Sequence, residues 1–488
     1  MSFFWIATAS PFEESHQEPP SAAIVVFGAT GDLASLKIFP ALYHLALEGR
    51  LPENTAIVGA GRKNLSNEEF LKLFRKAVDS AATSGIKIDE SFWTRFKGRI
   101  SYQKIDTDEG YNQLNHLLRN QTNRIYYLAT QPSAFSSIVQ KLSEHGLIYD
   151  SKQKDRWSRV VIEKPFGRDL DSAQNLQNEI SKVLDESQIY RIDHFLGKEG
   201  IQNLFAFRFK EGLFEPIWNR RYVDQVQITI GEEIGIGTRA QFWEETGLVR
   251  DLLQNHMMQI LALAAMDPPA NLDSEKIHAE KIKLLNAVRL FPDKIENVAV
   301  MGQYDEGEVK GISVPGYRQE SGVPAKSSIE TFAAAKVFID NDRWEGVPFY
   351  LRAGKRLPAK TTEIAVFFKG LQKDNGHTLF IRIQPEPGIF LRKISKEGES
   401  RPLVRLDTLS DQPQADAYEK LLEDCFHGDA SLFVQADEQI ASWKLWTPLI
   451  RHAATHPPDR YPAGKTWGPK AAEELAHWEV LEKTSINP

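Results

Sequence analysis

The sequence predicts two folded parts, an α/β domain built on a parallel sheet and a larger α+β domain with a mostly antiparallel sheet. Short β-branched runs alternate with helical patterns from Ala22 to about Glu163, which is the rhythm of a parallel sheet covered by helices. After about Gly200 the strands become longer and alternate apolar with polar residues. With 488 residues, 42% of them hydrophobic, the chain has enough apolar material for two cores.

The predicted domain boundaries follow the changes in this pattern. Residues 1–21 are predicted to form a flexible tail, because the segment Pro11 to Pro20 gathers glutamates and prolines without periodicity. Residues 22–200 are assigned to the first domain and residues 201–488 to the second.

The individual elements follow from residue type and spacing. Strands are predicted where Val, Ile, Tyr or Phe cluster, and helices where apolar residues recur every three or four positions. The strands predicted in the first domain are Ile24–Phe27, Ala56–Gly59, Ile125–Leu128 and Val160–Ile162, and its helices are Leu36–Leu47, Asn67–Ala82 and Ser133–Glu144. The second domain is predicted to contain strands Val226–Ile230, Ala365–Phe368 and Leu379–Ile383, and one amphipathic helix near Val249–Met266.

Composition limits the partners and the compartment. The chain has 66 acidic and 59 basic residues, so no overall positive field attracts nucleic acid or an anionic membrane. The single cysteine, Cys425, excludes an intrachain disulfide and any multi-cysteine metal site. No apolar run approaches the ~20 residues that span a bilayer, and the N-terminus lacks the cations of a targeting peptide. We therefore expect a cytoplasmic protein without a membrane or nucleic-acid partner.

A glycine-rich turn, Gly28-Ala-Thr-Gly31-Asp-Leu-Ala34, lies between a predicted strand and a predicted helix. A Rossmann-type fold binds the pyrophosphate of a dinucleotide at such a turn. Gly28 suits the tight turn, Gly31 lets backbone amides approach the anion, and the helix dipole favours it. The spacing departs from G-x-G-x-x-G, and ordinary turn chemistry is the alternative. The position between strand and helix favours dinucleotide binding.

The residues after the second predicted strand indicate which dinucleotide binds. Arg62 and Lys63 stand where an NAD enzyme carries an acid for the ribose 2′-hydroxyl. Two cations in place of that acid favour the 2′-phosphate of NADP. A solvated basic turn is the alternative interpretation, and it is stronger for Lys63 than for Arg62.

The segment Arg191-Ile-Asp-His-Phe-Leu-Gly-Lys198 concentrates cations and an imidazole in eight residues. A phosphate dianion requires several donors, and His194 and Lys198 are suitable. A local ion pair between Arg191 and Asp193 on a half-buried strand is an equally weighted alternative.

His256 lies one turn after Leu252 on the predicted helix of the second domain, beside the apolar face. Such a histidine is most often a core residue, but an imidazole with an unperturbed pKa near 6.5 can also act as a general base. A base needs an orienting carboxylate. Asp251 lies about 140° round an α-helix from His256, so Asp193 is the candidate.

Two further segments carry cations. Lys164 follows the strand that ends at Ile162, so we expect it at the carboxyl end of the parallel sheet, where ligands bind. The segment Arg352–Lys360 has four cations around a predicted glycine turn. Both a surface charge run and an anion-binding lobe remain open interpretations.

Taken together, these segments resemble the glucose-6-phosphate dehydrogenase family from Ala22 to near Pro469. The segments that carry the resemblance are Gly28–Ala34, Leu51–Asn54, Glu163–Gly167, Arg191–Glu199, Pro216–Arg220, Arg250–His256 and Gly346–Phe349. The resemblance implies a Rossmann-type domain that binds NADP and a second domain that binds substrate and forms a homodimer or homotetramer. It also implies oxidation of glucose 6-phosphate at C1 to 6-phosphogluconolactone, the first step of the oxidative pentose phosphate pathway. Independently of the resemblance, this reaction requires no metal, because the nicotinamide accepts the hydride and a histidine and a carboxylate are available for the proton.

The resemblance further implies roles for single residues. His256 matches the family's general base and Asp193 its carboxylate partner. The matched substrate positions are His194 and Lys198 for the phosphate, Lys355 and Lys360 in a later cationic loop, Glu232 and Asp251 for sugar hydroxyls, and Lys164 between sugar and nicotinamide. The matched cofactor positions are Gly28, Thr30, Gly31, Asp32, Leu33, Lys37, Arg62 and Lys164.

Phe195 departs from the family pattern, which usually has a tyrosine there, so one phosphate hydrogen bond is expected to be lost. We expect weaker sugar-phosphate binding or compensation by Lys198, Lys355 or Lys360. Two rival functions are considered. Another two-domain NAD(P) sugar oxidoreductase would not need the phosphate cluster, and a catalytically silent NADP-binding redox sensor would not need His256, Asp193 and Lys164 together.

Overall fold

The computed structural model describes residues 21–82, 88–290, 294–370, 377–393, 403–407 and 416–481. The predicted tail lies outside the described residues except for Ser21. The chain divides into two compact units. The N-terminal unit holds the described residues of 21–197 together with 416–436, and the C-terminal unit holds those of 198–407 together with 437–481.

The strands include the long buried apolar runs of the sequence and several short segments that are partly exposed. In chain order they are β1 Ala23–Phe27, β2 Ala56–Gly61, β3 Ile100–Lys104, β4 Asn123–Leu128, β5 Trp157–Ile162, β6 Ile189–Ile192, β7 Val223–Glu232, β8 Val288–Leu290, β9 Ala299–Asp305, β10 Gly307–Val309, β11 Ile312–Val314, β12 Phe332–Ile339, β13 Phe349–Lys355, β14 Thr361–Phe368, β15 His377–Gln384, β16 Gly388–Lys393, β17 Val404–Arg405, β18 Phe433–Val434 and β19 Asp459–Pro462.

The α-helices are α1 Phe39–Leu47, α2 Asn67–Ala82, α3 Glu90–Phe96, α4 Asp108–Leu117, α5 Phe135–Glu144, α6 Leu170–Ser181, α7 Glu199–Ala206, α8 Ala240–Leu248, α9 Met258–Ala265, α10 Ser274–Ala287, α11 Ile295–Val298, α12 Ala417–His427, α13 Ala436–Ala453 and α14 Lys470–Leu475. Segments with π-type hydrogen bonds are Ala34–Ile38, Phe207–Glu211 and Val249–Met257, and short 3-10 turns are Lys97–Arg99, Pro132–Ala134, Glu186–Gln188, Glu215–Ile217 and Tyr317–Gln319. Among the described residues, no helix is both long enough and apolar enough to span a membrane.

The N-terminal unit is built on a sheet whose described strands run in the order β18, β6, β5, β4, β1, β2, β3. The neighbouring pairs from β6 to β3 are parallel. β1 is buried along its whole length, as a parallel strand covered on both faces requires. The predicted parallel sheet is therefore confirmed. β18 comes from a distant part of the chain and pairs antiparallel to β6, with Phe433 opposite Ile192.

The C-terminal unit is built on a larger sheet, in which the described strands run in the order β17, β16, β15, β14, β7, β13, β12, β9, β19, with β8 beside β12. Most pairs are antiparallel, whereas β7 with β13 and β9 with β19 are parallel. The predicted α+β class with a mostly antiparallel sheet is confirmed. The parallel pair of β7 and β13 places the carboxyl ends of both strands at one edge of the sheet.

Candidate functional site

The glycine-rich turn of the N-terminal unit is fixed by backbone contacts. Gly28 has φ +78°, and a Cβ there would lie 2.3 Å from the carbonyl oxygen of Ala129. The amides of Gly28 and Ala29 both donate to the carbonyl of Ala60, at 3.0 and 3.2 Å. Only glycine satisfies both the positive φ and the close approach. The tight turn predicted at Gly28 is therefore present and requires a glycine there.

The amide of Gly31 is used within this turn, because it donates to the carbonyl of Gly28 at 2.9 Å. The helical segment that follows begins at Ala34, and Leu33 at its N-cap provides no side-chain cap. The first amides of a helix lack intrahelical acceptors and attract anions. The amides around Asp32 and Leu33 therefore lie at a helix start of the kind that can bind an anion.

Arg62 and Lys63 lie at the same sheet edge as the turn, since β1 and β2 are parallel with Phe27 opposite Ala60. Both cations are exposed just beyond the end of β2. The hydroxyl of Tyr102 donates to the carbonyl of Lys63 at 2.8 Å and holds the backbone there. Two exposed cations therefore follow β2 at this edge of the sheet, and no acidic side chain stands directly after the strand.

Two other predicted cofactor residues are Lys37 and Thr30. Lys37 forms an ion pair with Asp416 at 2.8 Å, and both side chains are more than a third exposed. An exposed pair of this kind contributes about 0–1 kcal/mol, so the ammonium can exchange Asp416 for a phosphate at little cost. Thr30, within the glycine-rich turn, is half-buried.

The carboxyl ends of β5 and β6 carry the next predicted residues. Lys164 is half-buried and lies just beyond Glu163, the first residue after β5. Its neighbour Glu163 is buried and accepts a hydrogen bond from the hydroxyl of Tyr127 at 2.6 Å. Burial raises the pKa of the Glu163 carboxyl above its usual value. Glu163 and Tyr127 were not predicted as site residues, although Glu163 begins the segment Glu163–Gly167 that carries the family resemblance.

Asp193 and His194 follow β6. Asp193 is 3% exposed, and its Oδ1 accepts a hydrogen bond from the amide of Phe195 at 2.9 Å. His194 is half-buried and stacks on Tyr418, with ring centroids 6.3 Å apart and planes at 8°. Because β5 and β6 are adjacent and parallel, Lys164, Asp193 and His194 lie at one edge of the sheet.

The alternative of an Arg191 to Asp193 ion pair is wrong. The guanidinium of Arg191 binds the carboxylate of Glu186, with Nη2 to Oε2 at 3.0 Å, and also bonds Gln177 and the carbonyl of Val434. Glu186 belongs to the 3-10 turn Glu186–Gln188 immediately before β6, and this turn places its carboxylate next to Arg191. Arg191 therefore fastens β18 to β6 and leaves Asp193 to other contacts.

In the C-terminal unit, the helix that carries His256 starts at a glycine kink. Gly247 has φ +67°, and a Cβ there would lie 2.5 Å from Oε1 of Glu330. The amides of Leu248 and Val249 donate to the backbone carbonyl and the side chain of Glu330, both at 3.1 Å. Glu330 thus caps the helix, and its burial raises the pKa of the carboxyl.

The segment Val249–Met257 differs from the predicted α-helix because its hydrogen bonds are of the π type. Such turns are rare and occur frequently at functional sites. The angle of about 140° between Asp251 and His256 assumed an α-helix and does not apply here. Asp251 is half-buried in the first turn, whereas His256 is 1% exposed.

The His256 helix is fixed from one side by α13. The side-chain amide of Gln254 donates through Nε2 to Oε1 of Gln439 at 2.8 Å. The side-chain amide of Gln259 donates in the same way to Oε2 of Glu438 at 3.0 Å. Glu438 is fully buried and also binds Lys281 and His278, each at 2.7 Å. Burial raises the pKa of Glu438, but Lys281 and His278 outweigh it and the net value falls to about 2. No pattern in the sequence indicated this network.

The segment Arg352–Lys360 is not a turn at its start. Arg352, Gly354 and Lys355 belong to β13, and both cations are buried. Arg352 donates to the hydroxyl of Thr229, and burial lowers its pKa to about 9. The surface charge run is therefore a wrong interpretation for these two residues. Lys360 lies beyond the strand and is exposed.

The structure brings together two of the predicted substrate residues, Glu232 and Lys355. They are opposite each other at the ends of β7 and β13 and form an ion pair. Lys355 is 1% exposed and lies 4.7 Å above the Trp243 ring. Elsewhere in this unit, Lys198 is half-buried before α7 and donates to Oε1 of Gln384 at 2.8 Å.

Comparisons with known proteins agree over almost the whole chain. The family model described as "Glucose-6-phosphate dehydrogenase, NAD binding domain" matches residues 25–203, and the model of the C-terminal domain of the same family matches residues 205–481. A glucose-6-phosphate 1-dehydrogenase of Chlamydia muridarum is 43% identical, over 93% of this chain and 95% of that protein. A glucose-6-phosphate 1-dehydrogenase of Bacillus subtilis is 40% identical, over 94% of this chain and 99% of that protein.

Two solved structures are similar in fold. One is a glucose-6-phosphate dehydrogenase in complex with its substrate glucose-6-phosphate, with 33% identity and a TM-score of 0.84, covering 96% of this chain and 100% of that chain. The other is a glucose-6-phosphate 1-dehydrogenase from Mycobacterium avium, with 33% identity and a TM-score of 0.81, covering 95% of this chain and 99% of that chain.

Proposed function

The chain belongs to the glucose-6-phosphate dehydrogenase family, and on this premise we propose that it oxidises glucose 6-phosphate at C1 to 6-phosphogluconolactone with NADP. The family gives the nicotinamide cofactor, and NADP is the finer proposal. The observation that supports NADP as the cofactor is the pair Arg62 and Lys63, which are exposed at the end of β2 beside the glycine-rich turn. Their charges fit a 2′-phosphate, and they stand directly after β2, where an NAD enzyme carries the acid that binds the free ribose hydroxyl.

In the proposed reaction the imidazole of His256 accepts the proton of the C1 hydroxyl while the C1–H bond breaks and the C1=O bond forms. The bound nicotinamide supplies the hydride acceptor. Asp193 orients the imidazole and stabilises the imidazolium that forms. Both side chains are almost completely buried, which supports these roles because electrostatic stabilisation is stronger where water is excluded.

We further assign the remaining predicted residues to substrate and cofactor. His194 and Lys198 bind the sugar phosphate, with Lys360 as an exposed additional cation. The carboxylate of Glu232 accepts a hydrogen bond from a sugar hydroxyl. The buried ammonium of Lys355 holds this carboxylate in place, and the ion pair between the two supports this role. Asp251 binds a second sugar hydroxyl, and Lys164 serves both sugar and nicotinamide. Arg62 and Lys37, together with the turn residues Gly28, Thr30, Gly31, Asp32 and Leu33, bind the dinucleotide.

The domain assignment remains a proposal as well. Residues 22–200 bind the cofactor, and residues 201–488 bind the substrate and form a homodimer or homotetramer in the cytoplasm. Glucose 6-phosphate is the small-molecule partner, and we propose neither a nucleic acid nor a membrane partner. Sedimentation of the purified chain distinguishes the dimer from the tetramer, and a strictly monomeric active enzyme would exclude both.

An absorbance assay for reduced nicotinamide tests the proposal. We expect turnover with glucose 6-phosphate and NADP, a lower kcat/KM with NAD, and no comparable turnover when unphosphorylated glucose replaces the sugar phosphate. Absence of turnover with both cofactors would overturn the proposed activity. Equal kcat/KM with glucose and glucose 6-phosphate would instead support a general sugar oxidoreductase.

Phe195→Tyr tests the phosphate assignment separately. Phe195 is 5% exposed and its ring lies against His194, with centroids 5.1 Å apart. A tyrosine hydroxyl adds one donor for the phosphate, so we expect the KM for glucose 6-phosphate to fall by roughly threefold to tenfold, the equivalent of one net hydrogen bond. An unchanged KM would refute the role given to this position.

A further inference from the structure

A second cluster of chemically reactive side chains lies in the C-terminal unit among residues that the proposed reaction does not use. It consists of Glu296 from α11 and of His452 and His456 at the end of α13. The amide of His456 donates to the carbonyl of His452 at 3.1 Å, so the helical turn continues beyond Ala453. The two imidazoles are therefore one turn apart on the same face of the helix.

The ligand atoms of this cluster are already close. Nδ1 of His452 lies 3.9 Å from Oε1 of Glu296, and the three residues can present ligand atoms that all lie within 4.8 Å of one another. Tetrahedral zinc with bonds of about 2.0–2.2 Å separates its ligand atoms by about 3.4 Å. Glu296 and His456 are exposed, so their side chains have room to rotate and bring the ligand atoms to this separation.

The backbone near the end of α13 pre-orients His456. Its Nδ1 lies 3.1 Å from the carbonyl oxygen of His452 and 3.0 Å from the hydroxyl of Thr455. This leaves Nε2 as the ligand atom, and a contact to a carbonyl on the other ring nitrogen is the usual support of a metal-binding histidine. The imidazole planes of His452 and His456 stack at 9°, with centroids 3.8 Å apart, so both rings lie on the same side.

We propose that Glu296, His452 and His456 form a surface binding site for a divalent transition metal ion such as Zn²⁺. Two imidazoles and one carboxylate are a ligand set that suits zinc, and they leave a fourth position for water. Two histidines four positions apart on one helical face are the spacing used by helical zinc motifs. A bound ion would link the end of α13 to α11, which directly precedes β9.

Titration of the chelator-stripped full-length protein with ZnCl₂ by isothermal calorimetry tests this site. Three variants are compared with the parent: His456→Ala and Glu296→Gln, which each remove one ligand, and His116→Gln, a matched control that removes an exposed histidine outside the cluster. We expect the affinity to fall by at least roughly tenfold in the first two variants, since loss of supporting groups alone has effects of about 10- to 100-fold. His116→Gln is expected to bind as the parent does.

Thermal unfolding provides a second measurement. ZnCl₂ is expected to raise the unfolding temperature of the parent and of His116→Gln more than that of His456→Ala, because a ligand stabilises the folded state that binds it. Dehydrogenase turnover without zinc is expected to be the same in all four proteins. Equal zinc affinity in the parent and His456→Ala, or no zinc binding by the parent at millimolar concentration, would overturn the proposal. Unchanged affinity in Glu296→Gln would overturn the three-ligand site.

Discussion

Single glycines of the N-terminal unit are expected to differ in their effects on stability, as Gly28 in the glycine-rich turn and Gly49 after α1 illustrate. Gly28 and Gly49 both have positive φ, +78° and +73°, but a Cβ at Gly28 would lie 2.3 Å from Ala129 O, whereas one at Gly49 would meet nothing within 4 Å. A substitution at Gly49 therefore reports backbone strain alone, whereas one at Gly28 reports backbone strain together with steric overlap.

Gly28→Ala is expected to lower the free energy of unfolding by clearly more than Gly49→Ala and to weaken NADP binding. Gly49→Ala carries only the left-handed backbone cost of about 1–2 kcal/mol. Chemical denaturation and a fluorescence titration with NADP measure the two effects. Equal destabilisation by both substitutions would mean that the contact with Ala129 does not constrain the turn.

Arg62 is expected to select the cofactor. Removal of its guanidinium in Arg62→Ala leaves a 2′-phosphate with fewer donors, so the KM for NADP should rise by roughly 10- to 100-fold, the range of a charge-assisted hydrogen bond. The KM for NAD should change little. Lys63→Ala is the control, with a smaller effect. If NADP and NAD were affected equally by Arg62→Ala, the 2′-phosphate assignment would be wrong.

At the scale of elements, the helix of His256 depends on contacts that its own sequence does not contain. Glu330 caps its start, and Gln439 and Glu438 of α13 bind Gln254 and Gln259. The apolar spacing around Leu252 predicted the helix and its buried face correctly. Its π-type hydrogen bonds over Val249–Met257 were not predicted, since they depend on this tertiary packing rather than on residue type.

Glu438→Gln is expected to destabilise the protein by about 3–5 kcal/mol at pH 7, because the fully buried ammonium of Lys281 remains without its counter-charge. The folded-state pKa of Glu438 is about 2, below its ordinary 4.5, so its contribution is present above pH 4.5 and is lost as the pH falls towards 2. Urea unfolding at several pH values measures this. The difference from the parent should shrink in acid, and Asp437→Asn, at an exposed neighbour, should show little difference at any pH. A difference that stays constant from pH 7 to pH 2 would contradict the ionic role.

At the scale of the whole molecule, residue patterns predicted both sheets but not every part of them. The alternation of strands and helices up to Ile162 was sufficient for the parallel sheet, because βαβ connections leave a regular signal. β18 was not predicted, since two residues far along the chain carry no pattern of their own. Arg352 and Lys355 were assigned to a cationic turn, whereas pairing with β7 extends β13 and buries both.

The candidate site was predicted to a similar extent. The glycine-rich turn, Arg62 and Lys164 lie at strand ends where the sequence placed them, because a parallel sheet fixes which strand ends share an edge. The partner of Arg191 was not predicted correctly, since local sequence does not distinguish Glu186 from Asp193. The ion pair of Glu232 with Lys355 depends on the register of β7 and β13, which the sequence alone does not define.

The central claim is that the imidazole of His256 takes the proton from the sugar, supported by the carboxylate of Asp193. The most direct test is kcat for NADPH formation by His256→Asn, Asp193→Asn and the double variant, with folding checked by circular dichroism. We expect His256→Asn to lower kcat by roughly 10²- to 10⁴-fold, and the double variant to be little slower than His256→Asn alone, because the two residues act as a unit. Unchanged kcat in His256→Asn, or fully additive losses in the double variant, would contradict this mechanism.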